Sequence, residues 1–296
     1  MRDKLMFKAT NLGELRGFYG TEYKVTIKVL QCIHLTLLIQ NDKMTDQYVP
    51  QKTLLDILNL NDGIDIKWSH AVNSKKKLLN SLTDNTITML EADVILGPNN
   101  EPIMAHSPSD LSDISLSEWL IEAFNHGKKG IKLDFKQTEA IVPSLNILKT
   151  IMKFNTSIPV ILNADILEGP NNLLTKPVDA NIFIEKCKQI NNAILSPGWT
   201  SAFNGSLSEG YSWSHVQQMF ELVNDTGLHV TFPVRASLVN RSMKQLLWLL
   251  CQNKSFTLTV WTSISDVFDL NELLFLRKYK SLVYFDMPND EINLIK

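Results

Sequence analysis

From residue 64 onward the chain alternates two patterns, and this alternation restricts its fold more than any other feature. Short apolar or β-branched runs occur at "IDIKWSH", "ITMLEADVI", "GIKLDFK", "IPVILNAD", "NAILSPGW", "LHVTFPVRA", "FTLTVWTS" and "SLVYFDMP". Between most of them lie stretches with helical spacing, among them "SLSEWLIEAFNHG", "TEAIVPSLNILKTIMKF", "WSHVQQMFELVNDTG" and "SLVNRSMKQLLWLLCQN". Ser115 and Glu118 stand at capping-box spacing, and Gly127 and Gly227 mark helix stops. Strands alternating with helices imply a parallel sheet, and eight of them close a (β/α)₈ barrel, an α/β fold of TIM type. An open doubly wound sheet is the alternative. The expected organisation is an irregular N-terminal extension over residues 1–60 and a single barrel over residues 61–296, a length such barrels reach as one unit.

Side chains on a strand alternate between two faces. In "LEADV", Leu90, Ala92 and Val94 share the face that packs under helices, which sends Glu91 and Asp93 into the lumen. The same test points Lys132, Asp134 and Lys136 inward on "GIKLDFK", Asn163 and Asp165 on "PVILNAD", Arg235 on "HVTFPVRA" and Asp286 on the last strand. Each lies near the C-terminal end of its strand, where barrel enzymes place their chemistry. Burying an unpaired carboxylate costs several kcal/mol, so converging acids require cations, a metal or both. Glu91, Asp93 and Asp134 form an oxygen-only donor set suited to Mg²⁺ or Ca²⁺, leaving Lys132, Lys136 and Arg235 to meet an anionic substrate. His70, after the first strand, and His106, after the turn "GPNNEP", arrive at the same rim and would serve as general base and general acid. The alternative is a structural network in which these acids and bases neutralise one another.

Apolar residues at 44%, charged residues at 20% and a formal charge of −2 describe an ordinary globular chain with no general attraction for nucleic acid. Cys32, Cys187 and Cys251 are too few and too scattered for a disulfide framework or a zinc site. The run "KVTIKVLQCIHLTLLIQ" is interrupted by Lys28, Gln31 and His34, too short to span a bilayer, and lacks a cleavage signature. The expectation is no transmembrane segment and, without a clear signal peptide, a cytoplasmic protein.

"HAVNS", "LEADV", "PIMAH", "GIKLDFK", "ILNADILEGPN", "GWT", "EGYSW", "VTFPVRA" and "QLLWLL" together resemble the menorin family over roughly residues 60–286. That family looks like a distant relative of the phospholipase C-like phosphodiesterases, barrels that include glycerophosphodiester phosphodiesterases and spider-venom sphingomyelinases. The resemblance implies a metal and acid/base centre at His70, Glu91, Asp93 and His106, with Asp134 as a further metal ligand and Lys136 as a phosphate-binding lysine. The glycerophosphodiesterases continue their first histidine with Arg-Gly, whereas this chain reads "HAVNS", so Asn73 stands where a phosphate clamp would be. Two readings follow. One is a metal-dependent phosphodiesterase acting on a glycerophosphodiester or phospholipid headgroup. The other is a non-catalytic module that binds a lipid headgroup, a glycan or a cell-surface protein partner, for which the resemblance implies an extracellular location.

Overall fold

The computed structural model describes residues 52–153, 158–171, 175–202, 209–263 and 266–296. Nine strands form one sheet: β1 (Trp68–Ser69), β2 (Met89–Leu96), β3 (Pro102–Met104), β4 (Gly130–Phe135), β5 (Val160–Glu168), β6 (Ile194–Thr200), β7 (Val230–Arg235), β8 (Phe256–Trp261) and β9 (Val283–Asp286). Eight of them pair in parallel in the order β1-β2-β4-β5-β6-β7-β8-β9, and β3 folds back antiparallel on β2. The α-helices of the described residues are α1 (Leu54–Leu58), α2 (Lys75–Thr83), α3 (Leu116–His126), α4 (Thr138–Met152), α5 (Ala180–Cys187), α6 (Trp213–Val223), α7 (Ala236–Val239), α8 (Met243–Leu250), α9 (Leu270–Leu276) and α10 (Asn289–Ile295). This is the (β/α)₈ barrel expected from the alternation. Among the described residues no ladder joins β1 to β9; side chains span that seam instead, with His70 Nε2 2.8 Å from Asp286 Oδ1.

The helices start where their caps dictate. Ser115 and Glu118 form a reciprocal capping box on α3, which stops at Gly127 in the left-handed region, as its sequence predicts. Two expectations change. "IDIKWSH" contributes a strand of only two residues, because Asp62 accepts the Ile64 N–H and caps a 3₁₀ turn over Gly63–Asp65. "SLVNRSMKQLLWLLCQN" splits into α7 and α8 at Ser242, whose hydroxyl accepts the Tyr211 N–H at 2.7 Å and donates to the Leu238 carbonyl at 2.7 Å.

Inside the barrel the two-residue period sorts side chains by height. Met89, Ile161, Ile194 and Tyr284 form an apolar floor, closed from below by Leu54, Leu55 and Ile66. Residues 54–60, placed with the extension by sequence, therefore include part of the packed base, while residues 1–51, with "KVTIKVLQCIHLTLLIQ" and Cys32, lie outside the described residues. Above the floor, Glu91 pairs in register with Lys132, and one step higher Asp93, Asp134, Asn163 and Ser196 form a single row across β2, β4, β5 and β6. Among the described residues no helix is long and apolar enough to cross a membrane.

The seam also depends on a close approach. Gly63 donates its N–H to the Lys280 carbonyl, and a Cβ at this position would overlap the Val283 carbonyl oxygen and the Tyr284 ring. Overpacking of this kind costs about 1–3 kcal/mol. Gly63→Ala is expected to lower unfolding stability by about that amount in urea titrations; an unchanged midpoint would contradict the packing of the seam.

Candidate active site

The polar strand ends enclose a cavity of about 310 Å³. His70, Glu91, Asp93, His106, Lys132, Asp134 and Lys136 all line it, so seven of the nine residues expected at the site meet there. The carboxylates of Glu91, Asp93 and Asp134 each offer an oxygen within 4.8 Å of the others. A hard divalent cation bound at about 2.0–2.6 Å would bridge oxygens at that spacing. The donor set and its spacing fit a divalent-cation site.

The acids are held by a rigid first loop. The Ala71 N–H donates to Glu91 Oε2 at 2.7 Å, and Val72 N–H donates to the Glu91 carbonyl at 2.8 Å. Ala71 adopts φ 44°, an uncommon conformation for a residue with a Cβ, and it turns the amide toward the acid. Asn73 clamps Asp93 from two sides: its Nδ2 donates to Oδ2 at 2.8 Å, and its Oδ1 accepts the Asp93 N–H at 3.0 Å. Trp119, fully buried on α3, anchors the loop by donating its indole N–H to the Val72 carbonyl at 2.8 Å.

Two lysines sit among these carboxylates. Lys136 Nζ lies 2.6 Å from Asp134 Oδ2 and 3.0 Å from Asp93 Oδ1. Burial opposes its charge, but Asp134 and Asp93 more than offset this and hold the ammonium well above the usual lysine range. Lys132 lies 3.5 Å from Asp286 Oδ2 and 5.6 Å above the Trp68 ring; burial again opposes its charge, and Asp286 and Glu91 reverse the effect. Glu91 has no such neutralising contact at hydrogen-bond distance among the described residues. Burial, then the charge of Asp93, push its carboxyl up to about 7. Asp134 moves the other way, because Lys136 and Lys132 overcome the effect of burial and hold it below the usual carboxylate range.

Each histidine is paired to a different carboxylate. His70 Nε2 meets Asp286, whose side chain is buried, and although burial lowers the imidazole's affinity for a proton, Asp286 outweighs it and raises the pKa. His106 remains 68% exposed, with Nδ1 3.4 Å from Asp93 Oδ1. Asp110 fixes its backbone by accepting the N–H groups of His106 and Ser107. The remaining described histidines lie elsewhere: His229, for instance, is buried and lowered to about 4 by desolvation.

Two expected residues take other roles. Arg235 does not line the cavity; its guanidinium makes a bidentate contact with Asp266, Nε at 2.9 Å and Nη2 at 2.6 Å, and lies over the Trp261 ring. Its inward register is real, but a carboxylate from the loop after β8, invisible to a strand-face argument, claims it. Asn73 is likewise turned to Asp93 rather than to the cavity. Trp261 lines the cavity, whereas Trp199 is buried against Tyr211. The "LEGPNN" and "SEGYS" loops are joined by Asn171, which donates to the Ala202 and Glu209 carbonyls, while residues 172–174 and 203–208 lie outside the described residues.

Asp286 and Asp165 are the functional candidates that residue-type reasoning passed over. Both were marked by inward register. Asp165 stands open to the cavity, and a Cβ at its register partner Gly198 would overlap its Oδ1, so the glycine leaves room for it. Its position deep in the barrel mouth, then the charge of Asp134, push its carboxyl upward. Asn163 completes the row, donating to Asp134 Oδ1 at 2.7 Å and accepting from Ser196 Oγ at 2.6 Å.

Comparison with known proteins places this cavity in a family. The model of the menorin N-terminal domain matches residues 62–292. The chain belongs to the menorin family. It is 40% identical over 234 residues to the Homo sapiens protein FAM151B, covering 76% of this chain and 83% of that one. Among solved structures it is similar to glycerophosphodiester phosphodiesterases from Parabacteroides distasonis (TM-score 0.46, 12% identity, 79% of this chain and 98% of that one) and Agrobacterium tumefaciens (TM-score 0.42, 9% identity, 78% and 98%).

The His70–Asp286 contact in this menorin barrel has a measurable signature. In Asp286→Asn the main raising charge is lost while burial, the largest influence and only partly offset by Glu91, still acts on the imidazole, so the His70 pKa measured by NMR is expected to fall below its ordinary value of 6.5. A His70 pKa unchanged from wild type would contradict the pairing.

Proposed function

We propose that the protein is a divalent-cation-dependent phosphodiesterase acting on a glycerophosphodiester or a phospholipid headgroup. The observation that carries this reading is the meeting, in one cavity, of a close acid triad with two lysines and two imidazoles that are each paired to a carboxylate. Glu91, Asp93 and Asp134 would hold Mg²⁺ or Ca²⁺, and a cation so held supplies Lewis-acid polarisation of a phosphate oxygen.

The chain's own residues do the rest. The Lys136 ammonium has three N–H donors, gives one to Asp134 and lies 3.0 Å from Asp93, so a donor remains for a phosphate oxygen. Lys132 adds positive charge deeper in the lumen and offsets the charge that develops on the phosphoryl group. His70, with Nε2 toward Asp286, takes a proton at its other nitrogen from the attacking hydroxyl, whether that belongs to water or to a neighbouring group of the substrate. The imidazolium that forms is stabilised by Asp286. His106, open to solvent with Nδ1 toward Asp93, gives a proton to the leaving alcohol from its far nitrogen. Asn73 acts through Asp93, as a positioning residue.

One observation favours the binding module instead. Lys136 bridges Asp93 and Asp134 directly, so part of the acid charge is already neutralised by the chain. The two readings separate in one experiment: purified protein is incubated with glycerophosphodiesters and with choline or inositol phospholipids, with and without Mg²⁺ or Ca²⁺. The phosphodiesterase reading predicts cation-dependent release of alcohol that falls about 100-fold or more in His106→Ala, in line with the usual worth of an acid catalyst. No turnover on any substrate, with cation binding retained, would move the conclusion to a binding module.

Cation binding also carries a pH dependence. Without the cation, folded Glu91 keeps its proton up to about pH 7, whereas the unfolded chain releases it near the ordinary glutamate value of 4.5. Stability is therefore lost from this group as pH rises through that window, and a cation that binds the carboxylate restores it. The rise in Tm on adding Mg²⁺ or Ca²⁺ is expected to be larger at pH 8 than at pH 5.5, and Glu91→Gln is expected to abolish the difference. Equal shifts at both pH values would contradict Glu91 as a ligand.

A further inference from the structure

Exposed large apolar residues are common on the outer helices, where Leu79, Ile121, Val142, Ile182, Leu274 and Leu294 lie. Such scattered residues need no explanation. Leu111 and Val267 differ from them. Both lie on loops rather than helices, both are more exposed than any other large apolar residue described (103% and 74%), and each loop also carries a residue that lines the cavity, His106 in one and Thr262 in the other. Leu111 is on the β3–α3 loop that begins at His106, and Val267 is on the β8–α9 loop that follows the cavity-lining Trp261 and Thr262.

A third element reaches the same face. Lys75, Lys76 and Lys77 form the first turn of α2, directly after the loop that carries His70, and all three are exposed. Cations at a helix N-terminus oppose the helix dipole, and the first turn itself contains no acidic residue. Lys75 N–H donates to Asp113 Oδ1 at 2.9 Å, which ties the Leu111 loop to this basic turn. The acids of the patch are engaged: Asp110 with the His106 and Ser107 N–H groups, Glu118 with Lys75 and Ser115. Lys76 and Lys77 are exposed on the turn that Asp113 ties to the Leu111 loop.

We propose that the rim around the cavity mouth is a docking surface for a phospholipid bilayer, with Leu111 and Val267 entering the interface and Lys76 and Lys77 meeting anionic headgroups. Apolar side chains joined to basic residues are the combination that binds anionic membrane surfaces. The surface also deepens the proposed function, and rests on it in this respect alone: a bilayer docked on this rim faces the cavity that holds the acid triad, so the substrate class is membrane phospholipid.

The test is co-sedimentation of the full chain with phosphatidylcholine vesicles and with vesicles of equal parts phosphatidylcholine and phosphatidylserine. Wild type is expected to partition onto the mixed vesicles. Leu111→Asp/Val267→Asp is expected to weaken this by about tenfold or more, from lost apolar burial. Lys76→Glu/Lys77→Glu is expected to weaken it by a similar factor, on the mixed vesicles only. Neither variant alters a residue of the cavity, and circular dichroism melting checks that both fold. Binding unaffected by the apolar double variant, or no binding of wild type to either vesicle, would overturn the proposal. So would self-association without vesicles that the double variant abolishes, since the rim would then contact a second copy. Vesicle binding without turnover of any substrate would uphold the surface while removing the phosphodiesterase; turnover of a soluble diester without vesicle binding would do the reverse.

Discussion

Repulsion among carboxylates at the mouth of a single barrel governs the arrangement of everything around them. Glu91, Asp93, Asp134, Asp165 and Asp286 share one cavity with two lysines. Such charges are tolerated inside a protein only when each is met by a cation, a donor or a proton. Asp134 and Asp93 are met by Lys136, Asp286 by His70 and Lys132, and Asp93 again by the Asn73 amide. Glu91 has a backbone amide and keeps its proton up to about pH 7. Among the described residues Glu91 and Asp165 both lack an ion-pair partner and both are pushed upward, and Glu91 is the one of the two that joins Asp93 and Asp134 in the triad.

The first loop shows how a departure in sequence changes the role of a residue. The first loop reads "HAVN" after β1, with no arginine, and Asn73 is directed at an acid. The left-handed Ala71, the two-sided Asn73 clamp and the Trp119 anchor fix Glu91 and Asp93 before any ligand arrives. Such preorganisation suits both a cation site and catalysis, because neither then has to order the donors on binding. In the proposed phosphodiesterase, charge on the phosphate would fall to Lys136 and Lys132.

Much of this was legible in the residues because a strand reports its two faces with a period of two. "LEADV" and "GIKLDFK" place their charged residues in the lumen unambiguously, and the pairing of Asp93 with Asp134 across β2 and β4 follows the register implied by that pattern. Periodicity cannot report which partner a side chain chooses once it arrives. Arg235 points inward as expected yet is taken by Asp266, from a loop with no periodic signal. Asp286 was visible as an inward acid, but its contact with His70 depends on how the two end strands meet at the seam. The shortness of β1 was hidden for a related reason: the Asp62 side chain, held by Arg277 from far along the chain, diverts an apolar run into a 3₁₀ turn.

The central claim is that the triad holds a divalent cation in a site that the surrounding loop has already built. Its most direct test is anomalous diffraction from crystals soaked in Mn²⁺, a stand-in for Mg²⁺ with a measurable signal. The account predicts one strong peak within about 2.0–2.6 Å of a carboxylate oxygen from each of Glu91, Asp93 and Asp134, with the Asn73 clamp on Asp93 unchanged. A map with no peak there, and the Lys136 ammonium still bridging Asp93 and Asp134, would contradict it.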